Sequence, residues 1–203
     1  MDICESLAGV LFKLGNDVQY VPLAFDNIAY RPIVSKDHAY DFCFVGGWAN
    51  NGFDEKRTIM LQTFKHLFED NMDKYKVGIF INKNLSHETE NAILHSSTCC
   101  VNVHDAYQRK LGLDTNERTW KAWGATGNLL SDYVEAVRSV MIKSVELTNT
   151  TQFYTKPTDG EYFDNCFLEY CFEASDNMKQ QTRDYIQQNH TYTNRVKQLL
   201  GEK

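Results

Sequence analysis

The sequence lacks several features that define large classes of proteins. It has no apolar run long enough to cross a membrane, and its N-terminus has no basic region followed by an apolar one. These absences favour an intracellular protein, which we expect to be cytoplasmic and not bound to a membrane. Internal repeats and low-complexity stretches are also missing, which favours an ordinary globular fold.

Basic residues are fewer than acidic residues. The 203 residues include 21 Lys and Arg against 27 Asp and Glu, which gives a formal net charge of -6. That balance argues against a protein that binds nucleic acid mainly by neutralising phosphates. The apolar fraction of 42% is ordinary, and a chain of this length can bury a sizeable core without disulfides or structural metals.

CxxC motifs are absent, although the chain has six cysteines. We expect buried free thiols. His95, Cys99, Cys100 and His104 lie close together in the sequence and suggest a metal site at first sight. However, Cys100 and His104 on one face of a strand would lie roughly 13 Å apart, too far to share a zinc ion. We therefore predict no metal site and no bound cofactor.

Apolar strands alternate with amphipathic helices along the middle of the chain. Strands are predicted over residues 40–45, 75–81, 99–103 and 128–131, and helices over 54–72, 86–95 and 133–142. Another helix follows Asp114, its predicted N-cap, with Glu117 as the capping-box partner and Gly127 at its end. This alternation predicts an α/β fold with a Rossmann-like parallel sheet flanked by helices.

We expect a single domain over residues 1–203. Residues 1–39 would form an N-terminal helix, over 1–14, and a connection that includes a short extended run over 18–23. Residues 40–142 would form the core, and 143–203 a C-terminal helical region. In that last region the pattern predicts helices over 159–174, 177–188 and 191–200, and an irregular or extended segment over 143–157.

Two short motifs follow the first predicted strand. Gly46 and Gly47 would let a ligand approach the backbone closely, although such a pair also occurs in an ordinary turn. Lys56 and Arg57 open the next helix, where cations and free backbone N–H groups suit a diphosphate. The alternative is a solvated helix face.

The third predicted strand ends with Asn102 and His104. In open α/β sheets ligand sites form at the carboxyl ends of the strands, so His104 is a candidate for contact with a sugar or phosphate, or for a catalytic acid or base. A structural hydrogen bond is the alternative.

The capped helix carries a further group of candidates in its first turn. Arg118 could grip a phosphate with two hydrogen bonds, and Asn116 and Glu117 stand beside it. Trp120 and Trp123, farther along the same helix, are expected to pack in the core.

Several motifs in a fixed order resemble a known family. They are VPLAFDNIAYRP (21–32), YDFCFVGGW (40–48), Lys56-Arg57, CCVNVH (99–104), NERTWKAWGATGNLLSD (116–132) and NHTYTNRVKQLL (189–200). Together they resemble the carboxyl-terminal, donor-binding domain of CgeB-like glycosyltransferases, a spore-maturation branch of the retaining GT-B enzymes. The resemblance covers roughly residues 20–200.

The resemblance implies one half of a GT-B fold that binds a nucleotide-diphosphate sugar without an obligatory metal. Gly46 and Gly47 would lie beside this donor, Lys56 or Arg57 near its diphosphate, and Asn116, Glu117 and Arg118 near the sugar or phosphates. His104 would face the cleft. The protein would then be a glycosyltransferase, or its donor-binding subunit, with an unknown acceptor.

The sequence departs from the family pattern in two ways. Lys121 stands where related enzymes carry a Glu that binds the ribose hydroxyls, so Lys121 would face a more anionic ligand, or Lys121→Glu would tighten donor binding. The acceptor-binding half of a GT-B enzyme is also missing. A second chain or another copy of this one would complete the cleft, or the protein works differently, or the sequence is a fragment. The alternative function is a non-catalytic nucleotide-binding or oligomerising protein derived from such a domain.

Overall fold

The computed structural model describes residues 21–48, 55–157, 161–163 and 168–201. The helix predicted over residues 1–14 lies outside these ranges, as does half of the extended run predicted over 18–23.

The described chain alternates between short strands and helices. The strands are β1 (Phe42–Gly46), β2 (Val77–Ile81), β3 (Cys99–Asn102), β4 (Leu129–Ser131) and β5 (Thr151–Phe153). The α-helices are α1 (Glu55–Phe68), α2 (His87–Ser96), α3 (Ala106–Leu111), α4 (Glu117–Lys121), α5 (Glu135–Met141), α6 (Val145–Asn149), α7 (Asp176–Asn189) and α8 (Tyr192–Leu200). Short 3-10 helices span Lys36–His38, Glu69–Asn71 and Leu168–Phe172, and a π-helical segment, Ala122–Thr126, continues α4.

The five strands form one parallel sheet in the order β2-β1-β3-β4-β5. The predicted α/β fold with a Rossmann-like parallel sheet flanked by helices is therefore confirmed. Because β1 is bordered by β2 on one side and β3 on the other, the connections reverse direction between β1 and β3. Such a switch point leaves a crevice at the carboxyl ends of the strands.

Pairing along β1 differs between its two neighbours. β1 pairs with β2 over its whole length, from Phe42↔Val77 to Gly46↔Ile81. It pairs with β3 only at Phe42↔Cys99 and Cys43↔Cys100. The main-chain ladder between β1 and β3 therefore stops before the carboxyl ends of these strands, which opens the sheet at the switch point.

Hydrophobic residues cover both faces of the sheet, because side chains of a strand alternate between the faces. Phe42 and Phe44 of β1 pack with α1 on one face. Cys43 and Cys100 lie on the other face with the helices α2 and α4 and the π-helical segment, where Trp120 is buried. Sheets with two covered faces have mostly apolar strands, as the sequence of β1 shows.

Most predicted elements of the core are present, with shifted ends. Ser86 caps α2 by accepting from Thr89 N at 3.1 Å, and Gly127 ends the π-helical segment with a φ of 76°, both as predicted. The predicted cap of α4 is wrong. Asn116, not Asp114, is the N-cap, and its side-chain oxygen accepts from Thr119 N at 3.1 Å. Asp114 bonds to the adjacent Thr115 N instead.

Three other segments differ from their predictions. The loop after β3 contains α3, and residues 143–157 contain α6 as well as β5. The helix predicted over 159–174 is wrong in its described part, where Tyr162 forms an antiparallel bridge with Thr155 and only Leu168–Phe172 is a 3-10 helix. These elements are three to six residues long, too short to show a hydrophobic period.

Two chemical properties of the described residues bear on function. Cys43, Cys99, Cys100 and Cys171 are buried free thiols, as expected. Among the helices that the structure describes, none combines the length and apolar character needed to span a bilayer.

Candidate functional site

A cleft of about 400 Å³ opens at the carboxyl ends of β1 and β2, beside the switch point. That volume is within the range of small-molecule sites. The cleft is lined by six of the nine predicted site residues: Gly46, Lys56, Asn116, Glu117, Arg118 and Lys121. It is also lined by residues that sequence reasoning missed: Asn82, Lys83, Asn84, Leu85 and Glu90.

Arg118 is the central cation of the cleft. Its Nε donates to Val45 O at 2.8 Å, and its Nη1 donates to Val103 O at 3.4 Å, so the guanidinium bridges the ends of β1 and β3 where their ladder has stopped. The guanidinium also lies 4.3 Å from the centre of the Phe44 ring. Within the described ranges Arg118 forms no ion pair with a carboxylate.

Burial lowers the pKa of Arg118 below the ordinary value of arginine. Because an arginine guanidinium nevertheless stays protonated in proteins, the cleft holds a partly buried positive charge. A charge of this kind is costly unless a counter-ion compensates it. An anionic ligand would supply that compensation.

Gly46 and Gly47 leave room for neighbouring side chains. A Cβ on Gly46 would overlap Nη2 of Arg118, and a Cβ on Gly47 would overlap the side-chain oxygen of Asn82. Gly46 therefore allows the guanidinium to lie against the end of β1. Gly47 instead allows the side chain of Asn82, in the loop after β2, to lie against the backbone.

Asn102 holds Arg118 from behind, and Asn116 in turn bonds to Asn102. Asn102 Oδ1 accepts from Arg118 Nη1 at 3.2 Å and from Asn116 Nδ2 at 2.9 Å. Asn116 Nδ2 also donates to Val103 O at 3.2 Å. Asn116 thus lines the cleft while its amide is used to fix the start of α4 against the end of β3.

The turn after β2 forms the opposite wall. Asn82 and Asn84 have positive φ angles of 51° and 45°, a conformation that asparagine tolerates better than most residues. Asn82 N donates to Gly46 O at 2.8 Å, which fixes the turn to β1. Lys83 lies between the two asparagines and is exposed, with no ion pair among the described residues.

Lys121 is held by two carboxylates and an aromatic ring. Its Nζ lies 3.1 Å from Glu90 Oε1, 3.2 Å from Glu117 Oε1 and 4.6 Å from the centre of the Tyr30 ring. Burial alone would lower the pKa of Lys121, but the contact with Tyr30 and the two carboxylates outweighs it and raises this pKa. A carboxylate at position 121 would face Glu90 and Glu117 and be repelled.

Tyr30 completes this group from the segment before β1. Its hydroxyl donates to Glu90 Oε2 at 2.9 Å, and burial raises the pKa of Tyr30 to about 12. Glu90 is therefore fixed by a neutral phenol on one oxygen and by Lys121 on the other.

The two cations that open α1 have different environments. Lys56 lines the cleft and pairs with Asp105 at 2.6 Å, with 17% and 35% of the two side chains exposed. Arg57 is exposed and lies 5.7 Å from the centre of the Trp48 ring, and it is not part of the cleft wall. Only Lys56 is therefore placed to reach a ligand in the cleft.

His104 does not face the cleft, contrary to the expectation from the resemblance. Its ring is completely buried, and Nδ1 lies 2.7 Å from Asp132 Oδ1. Nε2 lies 3.3 Å from both Asn102 Nδ2 and Thr119 Oγ1. The reason is the pairing of β3 with β4, which aligns Asn102 with Ser131 and so brings the next residues of both strands together.

Metal-binding geometry is not found in the described part of the chain, where no group of three or more His, Cys, Asp or Glu side chains could hold an ion. The cleft itself carries four cationic side chains, Lys56, Lys83, Arg118 and Lys121, against the carboxylates of Glu90 and Glu117. Lys56 and Lys121 are paired with carboxylates, so Arg118 and Lys83 are the lining cations that form no ion pair among the described residues. Comparison with protein-family models and with curated proteins found no match to the sequence.

Proposed function

We propose that this domain binds a nucleotide diphosphate in the cleft, and that it serves as the donor-binding domain of a glycosyltransferase. The observation that carries the proposal is the guanidinium of Arg118, which is partly buried in the wall of the cleft and forms no ion pair with a carboxylate among the described residues. Arg118 and Lys56 would bind the diphosphate, and Lys83 would approach it from the opposite wall.

In a transfer reaction these cations would act on the leaving group. The bond between the anomeric carbon of the sugar and the diphosphate oxygen breaks, and negative charge builds up on the diphosphate. Fixed positive groups stabilise that charge more in the transition state than in the ground state. The acceptor would approach from the open side of the cleft, where a second chain or another copy would supply its binding surface.

A second candidate function is nucleotide binding without transfer. The arrangement of titratable groups favours it, since Glu90 and Glu117 both pair with Lys121 and His104 is buried behind Asn102. In this case the catalytic role predicted for His104 would be absent. The domain would then act as a sensor or an assembly module.

The test is calorimetric titration with nucleoside diphosphates, nucleotide sugars and inorganic pyrophosphate, followed by a search for sugar transfer or donor hydrolysis. We expect binding of a diphosphate that Arg118→Lys weakens by about tenfold or more, because lysine loses the planar two-point geometry. The matched control is Arg183→Lys on α7, since Arg183 also donates to a backbone carbonyl, Thr126 O at 3.0 Å, but lies outside the cleft.

Each outcome separates the candidates. Binding with turnover supports the transferase, and binding without turnover supports the second candidate. No binding of any diphosphate at millimolar concentration, or equal weakening by the two substitutions, would refute an anion site at Arg118.

A further inference from the structure

A chain of hydrogen bonds runs from the buried interior to Arg118. It begins at Asp132, passes through His104 and Asn102, and ends at Nη1 of Arg118. Asp132, His104 and Asn102 are each 0% exposed, so none of them can touch a ligand in the cleft. The proposed function does not account for a buried carboxylate and imidazole at this place.

The first link sets the tautomer of the imidazole. A carboxylate accepts hydrogen bonds, so His104 Nδ1 carries the hydrogen that Asp132 Oδ1 accepts at 2.7 Å. Asn102 Nδ2, which can only donate, lies against Nε2, so Nε2 presents a lone pair to it. That lone pair can accept from Asn102 Nδ2 or from the hydroxyl of Thr119, each at 3.3 Å.

The second link sets the direction of the Asn102 amide. Its Nδ2 faces three acceptors, His104 Nε2, Thr119 Oγ1 at 3.0 Å and Ser131 Oγ at 3.5 Å. Its Oδ1 therefore faces outward, where two donors meet it, Arg118 Nη1 and Asn116 Nδ2. A rotated amide would set an NH₂ group against both of those donors.

We propose that Asp132 and His104 are positioning residues, which fix the Asn102 amide and thereby the direction in which the Arg118 guanidinium faces the cleft. The imidazole is held in one tautomer, in which Nε2 accepts from the Asn102 amide. The amide is thereby held with its oxygen toward the Arg118 guanidinium. This inference rests on the proposed anion site, because it assigns the orientation of the residue that binds the anion.

Two substitutions of His104 each remove one of its two side-chain hydrogen bonds and keep the other. His104→Gln keeps an acceptor near the position of Nε2 and loses the donor to Asp132. His104→Asn keeps a donor near the position of Nδ1 and loses the acceptor for Asn102. Asp132 retains its bonds from the backbone N of His104, at 3.2 and 3.1 Å, in both variants.

The two variants are expected to rank in opposite order for ligand affinity and for stability. His104→Asn should weaken binding of inorganic pyrophosphate and uridine diphosphate by about fivefold to tenfold, the size expected for the loss of one ordinary hydrogen bond, and His104→Gln by less than about twofold. In urea unfolding, His104→Gln should be the less stable variant, because the buried carboxylate loses its ring donor. Calorimetry measures the ranking of the variants by affinity, and urea denaturation measures their ranking by stability.

Nuclear magnetic resonance supplies a readout that needs no ligand. The ¹⁵N shifts of His104 should show hydrogen on Nδ1 and a lone pair on Nε2. The Arg118 Nε–H signal should stay sharp in His104→Gln and broaden in His104→Asn.

The outcomes distinguish this inference from the proposed function. If the native protein binds no diphosphate, the proposed anion site is refuted. The resonance measurements alone then decide whether Asp132, His104 and Asn102 form the hydrogen bonds in the proposed directions. If the native protein binds but both variants bind alike, or affinity follows stability, the positioning role is refuted. Hydrogen on Nε2 of His104 would refute it as well.

Discussion

The two halves of the carboxyl edge of the sheet are built from similar polar residues but differ in access to solvent. On the side of β1 and β2 the edge opens into a cleft, with Arg118 and Lys83 on facing walls. On the side of β3 and β4 the edge is filled by His104 and Asp132, which are both 0% exposed. One short helix, α4, serves both halves, since Arg118 faces the cleft and Thr119 faces the buried network.

The length of strand pairing therefore decides which polar groups remain accessible to a ligand. β3 and β4 stay paired to the end of both strands, at Asn102↔Ser131, so the residues that follow meet and satisfy each other. β1 and β3 separate after Cys43↔Cys100, and the gap holds a guanidinium instead of a peptide ladder. Polar residues at a closed edge stabilise the fold, and those at an open edge can bind.

The largest expected effect comes from breaking the closed half. Asp132→Ala removes the acceptor of His104 Nδ1 and of the His104 backbone N, and unsatisfied buried donors are costly. We expect a loss of about 3 kcal/mol in the free energy of unfolding, measured by urea denaturation. Asp132→Asn, which keeps one acceptor oxygen, should lose less, and a loss below about 1 kcal/mol for the alanine variant would contradict the comparison.

The next effect comes from closing the open half. Gly46→Ala sets a methyl group where Nη2 of Arg118 now lies, so the flexible guanidinium must move. We expect diphosphate affinity to fall about thirtyfold by calorimetry, while stability falls by only about 1 kcal/mol.

Gly112→Ala is the control for this change. Gly112 has a φ of 66° and is the C-cap of α3, so alanine there should cost about 1 kcal/mol of stability through backbone strain. Binding should be unchanged because Gly112 is outside the cleft wall. Equal loss of affinity in the two alanine variants would mean that general destabilisation, not access to Arg118, controls binding.

A smaller effect concerns the far side of α4, which the two halves share. The His190 ring lies 5.3 Å from the Trp120 ring, and burial, Arg195 and Lys143 lower the pKa of His190 to about 4. At a pH between the ordinary histidine pKa and this lowered value, His190 binds a proton in the unfolded chain but not in the folded one. Stability therefore falls as the pH is lowered from about 6.5 to 4, and does not change further from this group below that range.

Because His190 is partly exposed to solvent, we expect the loss over that interval to be about 1–2 kcal/mol, measured by urea denaturation across the pH range. His190→Gln should flatten this part of the profile. A profile that keeps its slope in the variant would assign the pH dependence to other groups.

The smallest expected effect comes from changing the net charge of the open half. Glu90→Gln removes one carboxylate from Lys121 and leaves Glu117, so the positive charge of the cleft increases. We expect diphosphate affinity to rise about twofold to threefold, and the gain to shrink at high salt. Weaker binding in Glu90→Gln would mean that the carboxylate itself contacts the ligand.

Much of the fold could be predicted because its main elements carry a local sequence pattern. The helix α1 is amphipathic, the strands β1 and β2 are mostly apolar runs, and Ser86 marks a helix N-cap. β5 and α6, with three and five residues, show no such pattern. Their positions follow from the sheet edge and from packing, which are not local properties of the sequence.

The site was predictable only in part, for a related reason. Gly46, Lys56 and Arg118 follow strands or open helices, so local pattern finds them. Glu90 and the turn at Asn82 to Leu85 reach the cleft because β1 pairs with β2, and no motif marks that pairing. His104 looked accessible because its partner, Asp132, is 28 residues away and its contact depends on the pairing of β3 with β4.

The bridge that Arg118 makes between Val45 O and Val103 O has an evolutionary consequence. Under the proposed function, selection on the fold and selection on a ligand both act on this side chain, since its loss would remove one donor from each of two strand ends. We therefore expect relatives to keep this arginine whether or not they bind an anion. The exposed Lys83 is free of that constraint, so its retention or drift across a lineage would record whether binding is still selected.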